Sequence, residues 1–156
     1  TGDFAGDLLY GTLADFGFSR GTYESRPDDG LALVDCMITN AVRCVPPKNK
    51  PIGTEINTCR DYLVARIAAL PRLVTVMALG RIAHESTVSA FGLKRSALPF
   101  GHNRSHQLGS TVPGGRELVL FDSYHCSRYN TNTRRLTPDM FRDVFRSIRE
   151  FLDRTD

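Results

Sequence analysis

No apolar run in this 156-residue sequence is long enough to span a bilayer, and no segment has the pattern of a secretory signal peptide. Low-complexity tracts and internal repeats are also absent from the sequence. These absences argue against membrane-spanning, secreted and repeat proteins, and they favour a globular protein of the cytoplasm. The length suits one hydrophobic core, so we predict a single domain over residues 1–156.

The sequence also has little net charge, with a formal value of +3 and a pI near 8.8. A balance this mild does not identify a partner by itself. Basic residues nevertheless cluster, with Arg128, Arg134 and Arg135 in one polar segment and Lys48 and Lys50 in another. Local basic patches of this kind favour a polyanionic partner.

Cysteines are few, four in all, and a cytoplasmic protein is not expected to form disulfides. Cys44 and Cys59 are separated by fourteen residues, which on its own is a weak indication of a metal site. Cys36 falls inside a predicted buried strand, and Cys126 is next to His125 in the sequence. We therefore expect neither Cys36 nor Cys126 to bind a metal.

Short apolar runs alternate with helical patterns along the chain, as in α/β proteins. The apolar runs predict buried strands over residues 31–38, 73–79 and 118–121. The helical patterns cover residues 4–16, 54–70, 81–91 and 138–153, and residues 92–117 are predicted to form a loop or a short irregular hairpin. We predict a three-layer α/β/α sandwich around a mostly parallel four-stranded sheet, whose first strand would precede Thr1.

A polar segment follows the last predicted strand and contains His125. Hydroxyl, guanidinium and amide groups come directly after it, in Ser127, Arg128 and Asn130. Ligands of open α/β sheets bind outside the carboxyl ends of the strands, so this segment is a candidate site for a polar, anionic ligand. A solvated loop with a surface histidine is the alternative.

The other histidines carry no such pattern. We predict that His84 lies at the surface of a helix, and that His102 and His106 are polar loop residues.

Several sequence blocks resemble the signature motifs of the iron–sulfur uracil-DNA glycosylases. They are residues 39–51, which include Thr39-Asn40-Ala41-Val42-Arg43-Cys44 and Pro46-Pro47-Lys48-Asn49-Lys50-Pro51, residues 78–83, Ser123-Tyr124-His125 with Ser127-Arg128, and Asn130-Thr131. Thr1-Gly2-Asp3 with Gly6-Asp7 and Leu9-Tyr10 resembles the segment after the first motif of family 5, the broad-specificity branch. After family 5, the sequence most resembles family 4 of these glycosylases. The first motif itself is not in this sequence, and we expect it upstream of Thr1.

The resemblance implies a monofunctional DNA glycosylase of base excision repair. Such an enzyme would hydrolyse the N-glycosidic bond of uracil in DNA, with hypoxanthine and xanthine as further candidate bases. The alternatives are a uracil-restricted glycosylase of the family 4 type and a non-catalytic nucleic-acid-binding module. The implied partner is uracil-containing DNA, the expected state is a monomer, and the expected location is the cytoplasm of a bacterium or archaeon, at the nucleoid.

The resemblance also assigns catalytic roles to individual residues. His125 would donate a hydrogen bond to the departing base, whose negative charge grows as the bond breaks. Asp3 would position or activate the attacking water, although an Asp before a helix is also a common cap. Asn40 would read the base edge, because an amide can both donate to and accept from uracil. A simple turn-capping role is the alternative for Asn40.

Contacts to DNA are implied for two segments. Lys48, Asn49 and Lys50 lie between prolines and suit phosphate contacts. Ser127, Arg128 and Asn130 would contact the strand from which the base is extruded. Arg128 is the residue we expect to enter the helix.

The resemblance further implies a 4Fe-4S cluster. Cys44 and Cys59 would be two of its four ligands, and the other two are expected in a Cys-x-x-Cys segment upstream of Thr1.

Overall fold

The computed structural model of the chain describes residues 4–42, 53–109 and 117–155. In chain order its elements are α1 (Phe4–Asp15), β1 (Ser19–Arg20), β2 (Ala32–Leu33), α2 (Gly53–Ala68), β3 (Thr75–Leu79), α3 (Arg81–Ala90), β4 (Ser105–Gln107), β5 (Val119–Ser123), α4 (Arg128–Asn132) and α5 (Pro138–Asp153). Helices together with parallel and antiparallel strands confirm the predicted α/β class. Among the described helices, none is both long and apolar enough to cross a membrane.

The chain divides into two compact units. Unit one combines Thr1–Ile38 with Tyr124–Asp156, and unit two is Thr39–Ser123. A single glycosylase-like domain over residues 1–156 stays a prediction.

The core of unit one lies between α1 and α5. Thr137 caps α5 by accepting a hydrogen bond from the Met140 N–H at 3.2 Å, and Pro138 occupies the first turn, where its missing N–H costs nothing. The apolar stripe of α5 is buried, and its Phe145 ring packs against the rings of Phe16 and Phe18. Local capping signals and a regular stripe explain why the predicted range 138–153 matches the observed helix.

The prediction of a buried strand over residues 31–38 is wrong. Only Ala32–Leu33 is extended, and it pairs antiparallel with Ser19–Arg20 in a small hairpin. Asp35 takes a left-handed backbone conformation, φ +51°, which interrupts an extended run. The hairpin is held instead by Asp29, whose carboxylate accepts from the N–H groups of Glu24 and Leu31. These backbone hydrogen bonds lower the pKa of Asp29.

Unit two contains a three-stranded sheet in the order β3-β5-β4. β3 pairs with β5 in parallel, from Thr75↔Val119 to Leu79↔Ser123, whereas β4 pairs with β5 antiparallel. The described sheet therefore differs from the predicted, mostly parallel, four-stranded one, and β4 lies in the stretch predicted as loop or hairpin. The hydrophobic core of unit two comprises Leu63, Ile67, Ala78, Val88, Phe91, Leu108, Leu118 and Leu120.

The end of β3 is tied to the end of β5 by one backbone bond. The Gly80 N–H donates to the Ser123 carbonyl at 2.8 Å, and α3 begins one residue later. Gly80 has φ +92°, a conformation that other residues rarely adopt, so the turn from β3 into α3 depends on glycine here.

Candidate active site

The segment with the candidate histidine opens into α4 in unit one. Ser127 is the N-cap of α4, because its hydroxyl accepts from the Asn130 N–H and its carbonyl accepts from the Thr131 hydroxyl at 3.2 Å. His125 is exposed, whereas the next residue, Cys126, is buried and donates from Sγ to the Ala5 carbonyl. The segment is therefore anchored through Cys126, and its neighbour His125 is exposed.

A second bond closes this segment on itself. The side-chain amide of Asn130 donates to the His125 carbonyl at 2.8 Å. The Asn130 carbonyl in turn accepts from the N–H of Leu136, which is fully buried, at 3.0 Å. His125, Ser127 and Asn130 thus lie in one loop, within which the side chains of Ser127 and Asn130 form hydrogen bonds.

Cations and aromatic rings surround this loop. The Arg128 guanidinium lies 5.5 Å from the centroid of the Phe4 ring, and that of Arg135 lies 4.8 Å from the Tyr124 ring. Tyr129, beside Arg128 in α4, is 72% exposed. Exposed guanidinium groups and an exposed ring are what a nucleic-acid strand would contact through phosphates and stacked bases.

Asn40 belongs to unit two. It is exposed and lines an open groove together with Thr39, Tyr62 and Arg66. The strand predicted over residues 31–38 would have ended just before Asn40, but β2 ends at Leu33. Five other predicted site residues, Asp3, Cys44, Lys48, Asn49 and Lys50, lie outside the described residues.

The described cysteines differ in their surroundings. Cys59 is a free, buried thiol on α2. Cys36 and Cys126 are likewise outside any disulfide, and a reduced thiol is what an iron–sulfur ligand requires. Cys36 instead donates to the Phe18 carbonyl at 3.3 Å, and burial raises the pKa of its thiol, which favours the protonated, structural form.

Sequence reasoning missed a buried polar network in unit two. His84 on α3 is only 1% exposed, so its predicted surface position is wrong. His106, predicted as a loop residue, is buried on β4. Both rings meet the carboxylate of Asp122 on β5, at 2.7 Å from His84 Nδ1 and 2.9 Å from His106 Nε2. The available signal was Asp122, an acid directly after the apolar run 118–121. A carboxylate buried at the end of a strand needs polar partners.

The network has a defined donor pattern. His84 Nε2 lies 2.8 Å from the Leu98 carbonyl, so both ring nitrogens of His84 face acceptors. The Leu98 carbonyl can only accept, so Nε2 carries the N–H in that contact, whereas a proton on either partner satisfies the contact between Nδ1 and the carboxyl group of Asp122. The Gly101 N–H also points to the Asp122 carboxylate, at 3.3 Å. The result is a buried hydrogen-bonded network of His84, Asp122 and His106.

The same three side chains have the composition of a metal site, and their ligand atoms lie within 4.8 Å of one another. The nitrogen–oxygen distances of 2.7 and 2.9 Å are nevertheless hydrogen-bond distances. Two zinc ligands in tetrahedral geometry would lie about 3.3 Å apart. We therefore describe the cluster as a hydrogen-bonded network.

The helices together with the mixed sheet define the chain as an α/β protein, and the loop with His125 follows β5 in the sequence. The family model described as the uracil DNA glycosylase superfamily matches residues 2–149, and the chain belongs to that superfamily.

Individual relatives give the branch of the superfamily. A type-5 uracil-DNA glycosylase of Thermus thermophilus is 45% identical over 144 residues, which cover 92% of this chain and 63% of the relative. One from Pyrobaculum aerophilum is 33% identical over 94% of this chain and 60% of the relative. A type-4 uracil-DNA glycosylase of Sulfurisphaera tokodaii is 29% identical over 74% of this chain and 52% of the relative. The predicted order of resemblance, family 5 before family 4, is confirmed, and the chain spans about three fifths of the type-5 relatives.

Proposed function

We propose that this chain belongs to a monofunctional uracil-DNA glycosylase of the type-5 kind, a hydrolase of base excision repair. It would release uracil from DNA and leave an abasic site, and hypoxanthine and xanthine are further candidate substrates. The observation that carries the proposal is the superfamily match over residues 2–149, together with type-5 relatives that align over more than nine tenths of the chain.

The proposed reaction is hydrolysis at the sugar carbon C1′. The bond from C1′ to the base nitrogen breaks, its electron pair leaves with the base, and a water oxygen bonds to C1′ as the water loses a proton. The transition state has cationic character on the sugar and anionic character on the base. A fixed hydrogen-bond donor beside the base would stabilise the developing anion. A carboxylate would position the water that attacks C1′ of the sugar.

His125 is the proposed donor to the base, and Asp3 the proposed carboxylate. An exposed histidine on a loop held by Cys126 and Asn130 suits this role, because its backbone is fixed at the protein surface. A neutral imidazole suffices to donate one hydrogen bond. Asn40 is the proposed reader of the base edge, and its exposed amide in a groove beside Tyr62 is compatible with that role.

Two segments are proposed to contact DNA. Lys48, Asn49 and Lys50 would bind phosphates through charge and amide groups. Arg128 is supported by its exposure, whereas the side chains of Ser127 and Asn130 already bond inside the loop. The exposed ring of Tyr129 is a second candidate, beside Arg128, for the group that enters the helix when the base is extruded.

A 4Fe-4S cluster is part of the proposal, with Cys44 and Cys59 as two of its ligands. The thiol of Cys59 is in no disulfide, which is compatible with this assignment. The cluster would contribute a structural crosslink, because it would join α2 to residue 44 and to two further cysteines. No catalytic step is assigned to it.

The test is base excision, under single-turnover conditions, from oligonucleotides that each contain one uracil, hypoxanthine or xanthine. We expect the full-length monomer to release uracil, and cleavage of the abasic product by alkali reports the rate. Release of hypoxanthine as well supports the broad-specificity branch, and its absence supports a uracil-restricted enzyme. Tight DNA binding without release of any base would overturn the proposal in favour of a non-catalytic binding module.

A further inference from the structure

Asn130 is bonded to the backbone of the residue that would perform the chemistry. Its side-chain nitrogen lies 2.8 Å from the His125 carbonyl oxygen. A carbonyl can only accept, so the NH₂ group of the amide must face His125 and the amide orientation is fixed. The bond spans five residues and closes the loop that presents the His125 ring.

The backbone of Asn130 is itself held on both sides. Its N–H points to the Ser127 hydroxyl, and its carbonyl accepts from Leu136 at 3.0 Å. Leu136 is fully buried in unit one. The donor that reaches His125 is therefore connected through one residue to the core of its unit.

We propose that Asn130 is a positioning residue for His125, a role that replaces the DNA contact predicted for it. The inference rests on the proposed function, because it assumes that the His125 ring must be placed against a departing base. Small displacements of a catalytic group are costly, and about 1 Å can reduce a rate by roughly 100-fold. A loop that is closed by a bond to the His125 carbonyl limits such displacement.

The discriminating variant is Asn130→Asp. It keeps the size of the side chain but turns an acceptor and a negative charge toward the His125 carbonyl. Asn132→Asp is the matched control, since Asn132 is exposed on the same helix and the variant adds the same charge near DNA. We expect Asn130→Asp to slow uracil release at saturating enzyme by about 10-fold or more relative to Asn132→Asp, with similar DNA affinity for the two variants. Equal rates, or a difference confined to affinity, would overturn the inference.

A double-mutant cycle identifies His125 as the residue through which Asn130 acts. In a His125→Ala background there is no ring left to position, so Asn130→Asp should change the residual rate by less than about twofold. A full, additive loss in that background would contradict the proposal. Asn130→Ala, which adds no charge, repeats the measurement if the Asp variant folds poorly.

A readout independent of activity separates this inference from the proposed function. If the wild-type protein releases no base, the proposed function fails, but hydrogen exchange of the backbone amides of residues 125–128 can still be measured. Asn130→Asp should speed their exchange at least about 10-fold over the Asn132→Asp control, since a closing hydrogen bond is lost. Unchanged exchange would overturn the positioning role regardless of activity.

Discussion

At the scale of single residues, neighbours in the sequence have opposite surroundings in the candidate loop. His125 is exposed and Cys126 is buried against Ala5. The anchoring thiol and the capping hydroxyl of Ser127 hold the backbone on which His125 is exposed. Because the backbone is held by other residues, the role of the His125 side chain can be tested by substitution.

We expect His125→Ala to reduce single-turnover uracil release by about 100-fold or more, the cost of losing one donor to a developing anion. DNA affinity should change little, because the ring is proposed to stabilise the transition state. Rapid-quench excision and fluorescence anisotropy measure the two quantities. An unchanged excision rate would remove His125 from the mechanism.

A second residue-scale prediction concerns the buried polar network. Asp122→Ala removes the partner of both His84 Nδ1 and His106 Nε2, and each buried polar group left without a partner costs about 1–3 kcal/mol. Asp61→Ala on the exposed face of α2 is the control and should change stability by less than about 0.5 kcal/mol. Urea unfolding of both variants measures the free energy of unfolding. Similar values for the two variants would mean that the network contributes little.

At the scale of elements, the sequence predicted what local chemistry determines. The range of α5 followed from Thr137, Pro138 and a regular apolar stripe, and the structure has the same range. The strand over residues 31–38 failed because an apolar run does not reveal a left-handed residue such as Asp35. The His84–Asp122 pair could not be seen either, since its partners are 38 residues apart and meet only through the fold.

The cap of α5 gives the element-scale prediction. Thr137→Ala removes the acceptor for the Met140 N–H and should lower the free energy of unfolding by about 1 kcal/mol. Thr137→Ser keeps the hydroxyl and should retain most of that stability. Thermal denaturation followed by circular dichroism compares the two variants, and equal losses would assign the effect to the methyl group of Thr137.

At the scale of the whole molecule, the motif blocks were sufficient to predict the family. The superfamily match extends over residues 2–149, and the α/β class agrees with it. The roles of His125, Asp3 and Asn40, the DNA contacts and the cluster are proposals, since a sequence motif does not show how a side chain meets its ligand.

The cysteines allow the cluster to be tested in the full-length protein. We expect it to be brown, with broad visible absorption, and Cys59→Ala should bleach it. Cys36→Ala is the control and should keep the colour, because the Cys36 thiol donates to a backbone carbonyl. Iron analysis of protein purified without oxygen completes the measurement. A colourless, iron-free wild type would exclude the cluster.

The buried network also has a consequence for the kinetics of folding. Its three side chains come from α3, β4 and β5, so it can close only after the strands have found their order. Contacts that form after the rate-limiting step leave the folding rate nearly unchanged and instead slow the reverse reaction. The His84–Asp122 hydrogen bond would then mainly lower the unfolding rate. It would lengthen the lifetime of the folded sheet, from which the chain continues to His125.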